Sequence, residues 1–248
     1  MPPELARVAF VLVETSHPGN IGAAARAMKN MGLSELRLVR PKQFPHADAT
    51  ARASGADDLL AGARVFPQLE EAIADCCWVV GASARRRSLP LPMLDPRELA
   101  HRASQEMVTG ETEGRRIAIL FGRERTGLRN DEMDRCHALV QIPVDDAYPS
   151  LNIAAAVQVI AYELRLAMLA AERAPGPSVV PDAVDAGEME RFYEHLEQVL
   201  KEIGFLDPGN PRQLMRRLRR LFQRARPDQN EINILRGMLS AVQKSRRR

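Results

Sequence analysis

Cysteine, aromatic residues and the common nucleotide- and metal-binding signatures are scarce or missing in this 248-residue sequence. The three cysteines, Cys76, Cys77 and Cys136, are odd in number and two are adjacent. That pattern supplies neither a disulfide framework nor metal-ligand spacing. Aromatics make up 4% of residues, too few for the stacking platforms on which single-strand binders lay bases. After the first apolar run stands HPGNIG (17–22) and not G-x-G-x-x-G, which argues against a dinucleotide site. GRERTG (122–127) has the outer glycine spacing of a phosphate loop. Leu128 and Arg129 then occupy the places of its lysine and its Ser or Thr, which argues against an NTPase. No G-x-S-x-G or H-E-x-x-H is present, and His17, His46, His101, His137 and His195 are scattered. A hydrolase or metalloenzyme gains little support, and no metal is called for. The longest apolar stretch, 151–171, is broken by Gln158, Glu163 and Arg165 and makes a poor membrane span. Residues 1–19 show no basic region ahead of a long apolar core, so the expected location is cytoplasmic.

What remains is a globular composition, with 45% hydrophobic and 27% charged residues. The net charge of +3 is unevenly spread: residues 186–248 hold 14 Lys and Arg against 8 Asp and Glu, and residues 1–185 hold 21 against 24. A mildly acidic body with a basic tail is a weak pointer to nucleic acid or an anionic surface.

Apolar runs at 8–14, 35–40, 78–83, 116–122 and 138–144 read as buried strands. Helical patterns at 20–31, 48–61, 67–75, 95–106 and 129–136 alternate with them. The alternation predicts an α/β fold, a mostly parallel sheet covered on both faces. Residues 151–172 read as a long helix, apolar round most of its circumference. Such a helix is expected to be buried on more than one side, for which a second subunit is one solution. RAPGPSVVPDAVDAGE (173–188) reads as a linker. Three helices are expected beyond it, at 188–204, 211–225 and 229–245; the middle one has seven arginines between 212 and 226 and no acid. The expected organisation is a domain over 1–172, a linker over 173–187 and a basic, all-helical appendage over 188–248.

Three strand-to-helix junctions stand out. In HPGNIGAAARAMKNMG (17–32), Ile21, Ala24, Ala25, Met28 and Met31 form one helical stripe. Gly22, Ala23, Arg26, Lys29 and Asn30 take the other side, where small residues leave Arg26 on a bare surface. Asn20 suits the helix start and Gly32 a left-handed stop. In ILFGRERTGL (119–128), Gly122 permits close backbone approach to a ligand and Gly127 a sharp turn. In YPSLNIAAAVQVIAYE (148–163), Ser150 suits the cap of the long helix and Asn152 its first turn. Each junction alone reads equally as a turn glycine or a helix cap. Together they fall where strands end and helices begin, the edge at which open α/β sheets bind ligands. GASARRRSLPLP (81–92) adds three consecutive arginines, either a solvated loop or a phosphate clamp.

In order and spacing, N-x-G-A-A-x-R, F-G-R-E-x-x-G-L and S-L-N-I-A-x-A-x-x-V-x-x-Y-E resemble the three signature motifs of the SPOUT RNA 2′-O-methyltransferases over about residues 6–172. The resemblance is greatest to the TrmJ branch, the tRNA (cytidine/uridine-2′-O-)methyltransferases acting on nucleotide 32 of the anticodon loop. It implies a parallel sheet whose C-terminal part forms a trefoil knot, a homodimer, and tRNA as partner. It implies S-adenosylmethionine bound by Ala82, Ser83, Ala84, Gly122, Ile142, Pro149, Ser150 and Leu151. It places Arg26 beside the target hydroxyl, in a catalytic set with Asn20, Glu124, Ser150 and Asn152. Arginine stays protonated, so the role expected of Arg26 is to stabilise a developing alkoxide and hold the neighbouring phosphate. Asn20 either orients Arg26 or the ribose, or only caps its helix. Glu124 either holds the arginine–ribose geometry or fixes its loop. Arg85 and Arg87 match positions near the RNA, and Arg216, Arg217, Arg219 and Arg220 are expected to grip tRNA backbone with strong salt dependence. Two readings stay open beside this one: methylation of another tRNA or rRNA ribose, and a catalytically silent RNA-binding protein on the same fold.

Overall fold

Val8–Val13 (β1) is buried at every residue, which requires packing on both faces of its sheet. In the computed structural model, which describes residues 3–83, 91–108, 116–171, 184–209 and 213–246, that requirement is met by a seven-stranded sheet. The strands are β1, β2 (Glu35–Val39), β3 (Arg64–Phe66), β4 (Cys76–Ala82), β5 (Met93–Leu94), β6 (Arg116–Phe121) and β7 (Ala138–Val140). All pairings are parallel, in the order β3-β2-β1-β6-β4-β7-β5. Side chains alternate across it. Phe10, Leu12, Ile119 and Phe121 pack under α1 (Pro18–Met31), α5 (Pro96–Val108) and α7 (Ile153–Ala171). Val11, Val13, Ala118 and Leu120 face α4 (Leu69–Ile73) and α6 (Asn130–Met133) on the other side.

The expected α/β order is present, with local differences that have physical causes. The pattern at 48–61 divides into α2 (Ala47–Ala53) and α3 (Asp57–Ala61), because Ser54 and Gly55 take positive φ values of 46° and 89°. The strand expected over 138–144 stops at Val140; Pro143 has no N–H for a ladder. β3 and β5, three and two residues long, are too short to show a period. Helix α1 starts earlier than expected. His17 caps it by accepting the Gly19 N–H on Nδ1 at 3.1 Å, which corrects the assignment of Asn20 as cap. Gly32 closes it at φ 81°, donating to the Lys29 and Met28 carbonyls.

Gly22 also differs from expectation. It is buried, and a β-carbon there would lie 1.9 Å from the Ala49 carbonyl oxygen. Its small size therefore serves close packing of α1 on α2 and not a bare outer surface. Helix α7 buries one face, through Ile153, Val157, Ile160, Ala161, Leu164 and Met168. The expectation of burial on more than one side is not met within the chain: Val159, Tyr162 and Leu166 are 37–49% exposed along a second stripe. Although α7 is long and apolar enough to cross a membrane, its Glu163 lies 3.8 Å from Arg97 and its Arg165 donates to the Met31 carbonyl at 3.1 Å.

The tail forms α8 (Ala186–Glu202), α9 (Leu214–Ala225) and α10 (Gln229–Arg246) round a small core of Met189, Phe192, Tyr193 and Ile232. The residues expected to end the linker are already engaged: Asp185 caps α8 and the Gly187 N–H donates to the Ala74 carbonyl at 2.9 Å. The tail's arginines are largely committed inside the chain. Arg216 pairs with Asp134 at 2.8 Å, Arg220 lies 3.7 Å from the same carboxylate, and Arg219 binds Glu190 at 2.5 Å while lying over the Tyr193 ring. Arg226 pairs with the buried Glu106 of α5.

Substituting Gly22→Ala forces α1 and α2 apart. The expected loss is about 1–3 kcal/mol, the range for overpacking a tight contact, read as a lower urea midpoint with unchanged slope.

Candidate active site

Because the strands are parallel, the ends of β1, β4, β6 and β7 lie on one edge of the sheet. Four segments leave that edge: the turn 14–17, residues 82–83, the loop 122–128 and the segment 141–152. The loop after β6 folds back sharply, with backbone hydrogen bonds between Arg123 and Gly127 of 3.2 and 2.8 Å. Gly127 takes φ 68°, and a β-carbon on Gly122 would lie 2.1 Å from the Gly127 carbonyl carbon. Gly122 thus makes room for its own loop's return, which differs from the expected role of close approach to a ligand.

This fold-back presents Glu124 to the turn before α1. Its carboxylate accepts from the Ser16 N–H at 3.1 Å, the Ser16 hydroxyl at 2.9 Å, the His17 N–H at 3.3 Å and the Asn20 amide at 3.1 Å. The Asn20 carbonyl oxygen in turn accepts from the Asn152 amide at 3.1 Å. Asn152 Oδ1 accepts the Ala154 N–H at 2.8 Å, so Asn152, and not Ser150, caps α7. The three sequence motifs are thereby joined in one chain of hydrogen bonds. Burial alone would push the Glu124 carboxyl up; hydrogen bonds from its own backbone, Asn20 and Ser16 outweigh it and hold the carboxyl below its ordinary range.

A second network supports the loop from behind. Arg123 donates to Glu14 at 2.7 Å and to both Glu132 oxygens at 3.0 and 2.8 Å. Arg40 and Arg129 also reach Glu14. The Arg123 hydrogen bond, opposed by burial and assisted by the charges of Arg123, Arg129 and Arg40, holds the Glu14 carboxyl at about 2. Sequence reading missed Glu14, Ser16, His17, Arg123 and Glu132 as parts of the site. The available signal was their position beside the matched motifs.

Between these segments lies a cavity of about 420 Å³, within the usual range for small-molecule sites of roughly 300–1,000 Å³. Ala82, Ser83, Gly122, Ile142, Pro149, Ser150 and Leu151 all line it, together with Glu124 and Asn152. Ala84, Arg85 and Arg87 lie outside the described residues. Arg26 is exposed on α1, outside the cavity wall. Among the described residues, the backbone amides of Ile142, Val144, Ser150 and Leu151 have no hydrogen-bond partner. The wall thus combines apolar side chains (Phe121, Leu128, Val140) with free backbone donors. That donor set fits the adenine edge and carboxylate of S-adenosylmethionine.

Comparison with known proteins agrees. Residues 7–162 match the SpoU rRNA Methylase family, and residues 187–248 match the C-terminal domain of tRNA methyltransferase TrmJ. The chain is 53% identical to the tRNA (cytidine/uridine/adenosine-2′-O-)-methyltransferase TrmJ of Pseudomonas aeruginosa (strain UCBPP-PA14), over 97% of this chain and 95% of that one. It is 51% identical to the tRNA (cytidine/uridine-2′-O-)-methyltransferase TrmJ of Cronobacter sakazakii, over 98% of each. The crystal structure of TrmJ from Z. mobilis ZM4 superposes with a TM-score of 0.80 at 37% identity, covering 95% of this chain and 98% of that one.

The Glu14 carboxyl, held at about 2 against an ordinary 4.5, contributes stability that is complete above pH 4.5 and declines as pH falls toward 2. In urea titrations between pH 6 and pH 3, Glu14→Gln is expected to be less stable than the native chain at pH 6 by about 1–3 kcal/mol. The gap should narrow as pH falls below 4.5. A gap independent of pH would remove the charge as its cause.

Proposed function

The chain belongs to the SpoU methylase family and to its TrmJ-type tRNA methyltransferases, and from that membership we propose that it methylates the ribose of nucleotide 32, a cytidine or uridine, in the tRNA anticodon loop. It is an S-adenosylmethionine-dependent tRNA 2′-O-methyltransferase. The observation that carries the site assignment is the hydrogen-bonded chain from Glu124 through Asn20 to Asn152 on the rim of the cavity.

S-adenosylmethionine supplies an electrophilic methyl group on a sulfonium. The residues of the chain do the rest. Ala82, Ser83, Gly122, Ile142, Pro149, Ser150 and Leu151, which line the cavity, would hold the cofactor, with Ala84 added from outside the described residues. Glu124 has four donors on its carboxylate and stays ionised, so it anchors the turn and does not accept the hydroxyl proton. Asn20 and Asn152 spend both ends of their amides on each other, Glu124 and Ala154, and so position the turn against α7. Arg26 has no ion pair or hydrogen bond among the described residues and is free to meet a ribose and its phosphate. Its fixed charge would stabilise the alkoxide that develops as the ribose hydroxyl releases its proton to solvent water, and would help to position that oxygen for methyl transfer. Ser150, on the cavity wall, positions substrate or cofactor. Arg85 and Arg87 belong to the RNA-binding set. In the tail, Arg217 and the exposed Arg224 are the cations best placed for RNA backbone.

The same reading includes the trefoil crossing at the C-terminal part of the sheet, a cytoplasmic location, where tRNA is processed, and a homodimer. The exposed α7 stripe of Val159, Tyr162 and Leu166 supports the dimer, being an apolar surface on a helix that already buries its other face. Tyr162→Glu is expected to halve the mass seen by sedimentation equilibrium; an unchanged mass would place the dimer contact elsewhere or remove it.

The principal test is transfer of tritium from labelled S-adenosylmethionine to total tRNA, with mapping of the modified nucleotide. Label is expected on the 2′-oxygen of nucleotide 32. Arg26→Ala is expected to lower the rate at least about 100-fold, as for loss of a preorganised electrostatic stabiliser, while cofactor affinity by calorimetry stays the same. Label at another nucleotide would retain the chemistry and move the target. A folded chain that binds the cofactor but labels no RNA would overturn the function.

A further inference from the structure

The most conspicuous basic segment of the sequence holds only part of the free positive charge. Arg216, Arg219, Arg220 and Arg226 are held by Asp134, Glu190 and Glu106. Exposed cations on the body are mostly paired as well: Lys29 with Asp58, Arg40 with Glu14, Arg64 with Glu35. Among the described residues, Arg26, Lys42, Arg52 and Arg125 are the exposed cations of the body with neither an ion pair nor a hydrogen bond from the side chain.

These four surround one turn. The Lys42 N–H donates to the Thr15 carbonyl at 3.1 Å, which fixes Lys42 beside the segment between β1 and α1. Arg125 follows Glu124, whose carboxylate holds Ser16 and His17, and it lines the cavity. The Arg52 Cγ lies 3.4 Å from the place a β-carbon on Gly19 would take. Arg26 is seven residues beyond Gly19, two turns along the same line of the helix, about 10 Å away. The tight contact of Gly22 on Ala49 lies between Arg26 and Arg52 and fixes their two helices together.

The two acids that contact this turn are occupied. Glu14 is neutralised by Arg40, Arg123 and Arg129, and Glu124 is saturated by four donors. Asp48, four residues before Arg52 on α2, is the one exposed acid nearby without a Lys or Arg partner among the described residues, and it offsets part of the cations' charge. Unpaired guanidinium and ammonium groups at a turn beside a small-molecule cavity, where Glu14 and Glu124 are already spent and the cations outnumber the one open carboxylate of Asp48, are an anion site.

We propose that Lys42, Arg52 and Arg125 form a phosphate-binding rim around the mouth of the cavity. It takes the phosphodiester backbone of the substrate RNA on the two sides of the nucleotide that reaches Arg26. The proposal rests on the reading of the chain as an RNA methyltransferase, and it assigns to the body part of the backbone grip that the sequence suggested for the tail.

The test uses the full-length protein and an unmodified tRNA transcript, with affinity measured against salt concentration. Lys42 and Arg52 are exposed and unpartnered, so the double variant Lys42→Ala/Arg52→Ala is expected to fold with the native urea midpoint. Its slope of log affinity against log salt should fall by roughly 0.7–0.9 for each phosphate that is no longer neutralised. Its KM for tRNA should rise about tenfold, as for removal of a hydrogen bond to a charged group, while kcat and cofactor affinity stay native. Arg64→Ala, at the opposite edge of the sheet, is the control for net charge. A native slope and KM in the double variant would overturn the rim. So would half the double variant's change in Arg64→Ala, which removes one charge to that variant's two and would assign the effect to overall charge. Absence of methyl transfer by the native chain on any tRNA would instead strike the underlying reading, independently of the salt slopes.

Discussion

The Glu124 carboxylate is the interaction on which the site depends. It spans more than a hundred residues of sequence to satisfy the Ser16 and His17 amides, the Ser16 hydroxyl and the Asn20 side chain. The amides it takes up belong to the approach to α1, where N–H groups have no partner within the helix. A carboxylate there is favoured by the helix dipole and by charge-assisted hydrogen bonding. The contact requires the tip of the loop 122–128 to stand in one place. Gly122 and Gly127 allow the fold-back, and Arg123, clamped by Glu14 and Glu132, holds it from behind. One ionised group therefore closes the cavity on the side of β1, and Asn20 carries the constraint on to the start of α7.

Much of this fold was legible in the sequence, because its cause is periodic. Val8, Phe10 and Leu12 face one core and Val11 and Val13 the other, and such doubly buried runs read as strands of a parallel sheet. What the period could not supply was the fine structure of the junctions. His17, and not Asn20, caps α1, since a histidine Nδ1 and an asparagine oxygen can both serve an N-terminus and nothing local decides between them. Asn152 takes the cap expected of Ser150 for the same reason. Those exchanges matter for function. They free Asn20 to bridge Glu124 and Asn152, a contact between positions far apart in sequence that no local rule contains.

The glycines show the same limit. Their presence signalled close approach, but not to what. Gly22 approaches the Ala49 carbonyl and Gly122 approaches the returning loop. In both places the chain's own backbone occupies the space that the sequence left open for a ligand. The cavity walls are recognisable in retrospect by their position at strand ends, and by the unpaired amides of Ile142, Val144, Ser150 and Leu151.

Charge is where counting and geometry separate most. Residues 1–185 have three more acids than bases, and the tail has six more bases than acids, so counting alone sends RNA to the tail. At physiological ionic strength, however, exposed charges act over about 8 Å. What an approaching phosphate meets is therefore the local arrangement and not the sum. In the tail, Asp134, Glu190 and Glu106 absorb four arginines into the packing of α9 on the rest of the chain. At the edge of the sheet the balance runs the other way. Three arginines share Glu14, neutral donors satisfy Glu124, and the nearby Lys42, Arg52 and Arg125 form no ion pair among the described residues. The interactions that build the loop around Glu124 are thus the ones that remove negative charge from its surroundings. A site stabilised in this way is made attractive to an anionic substrate by the same contacts that give it shape.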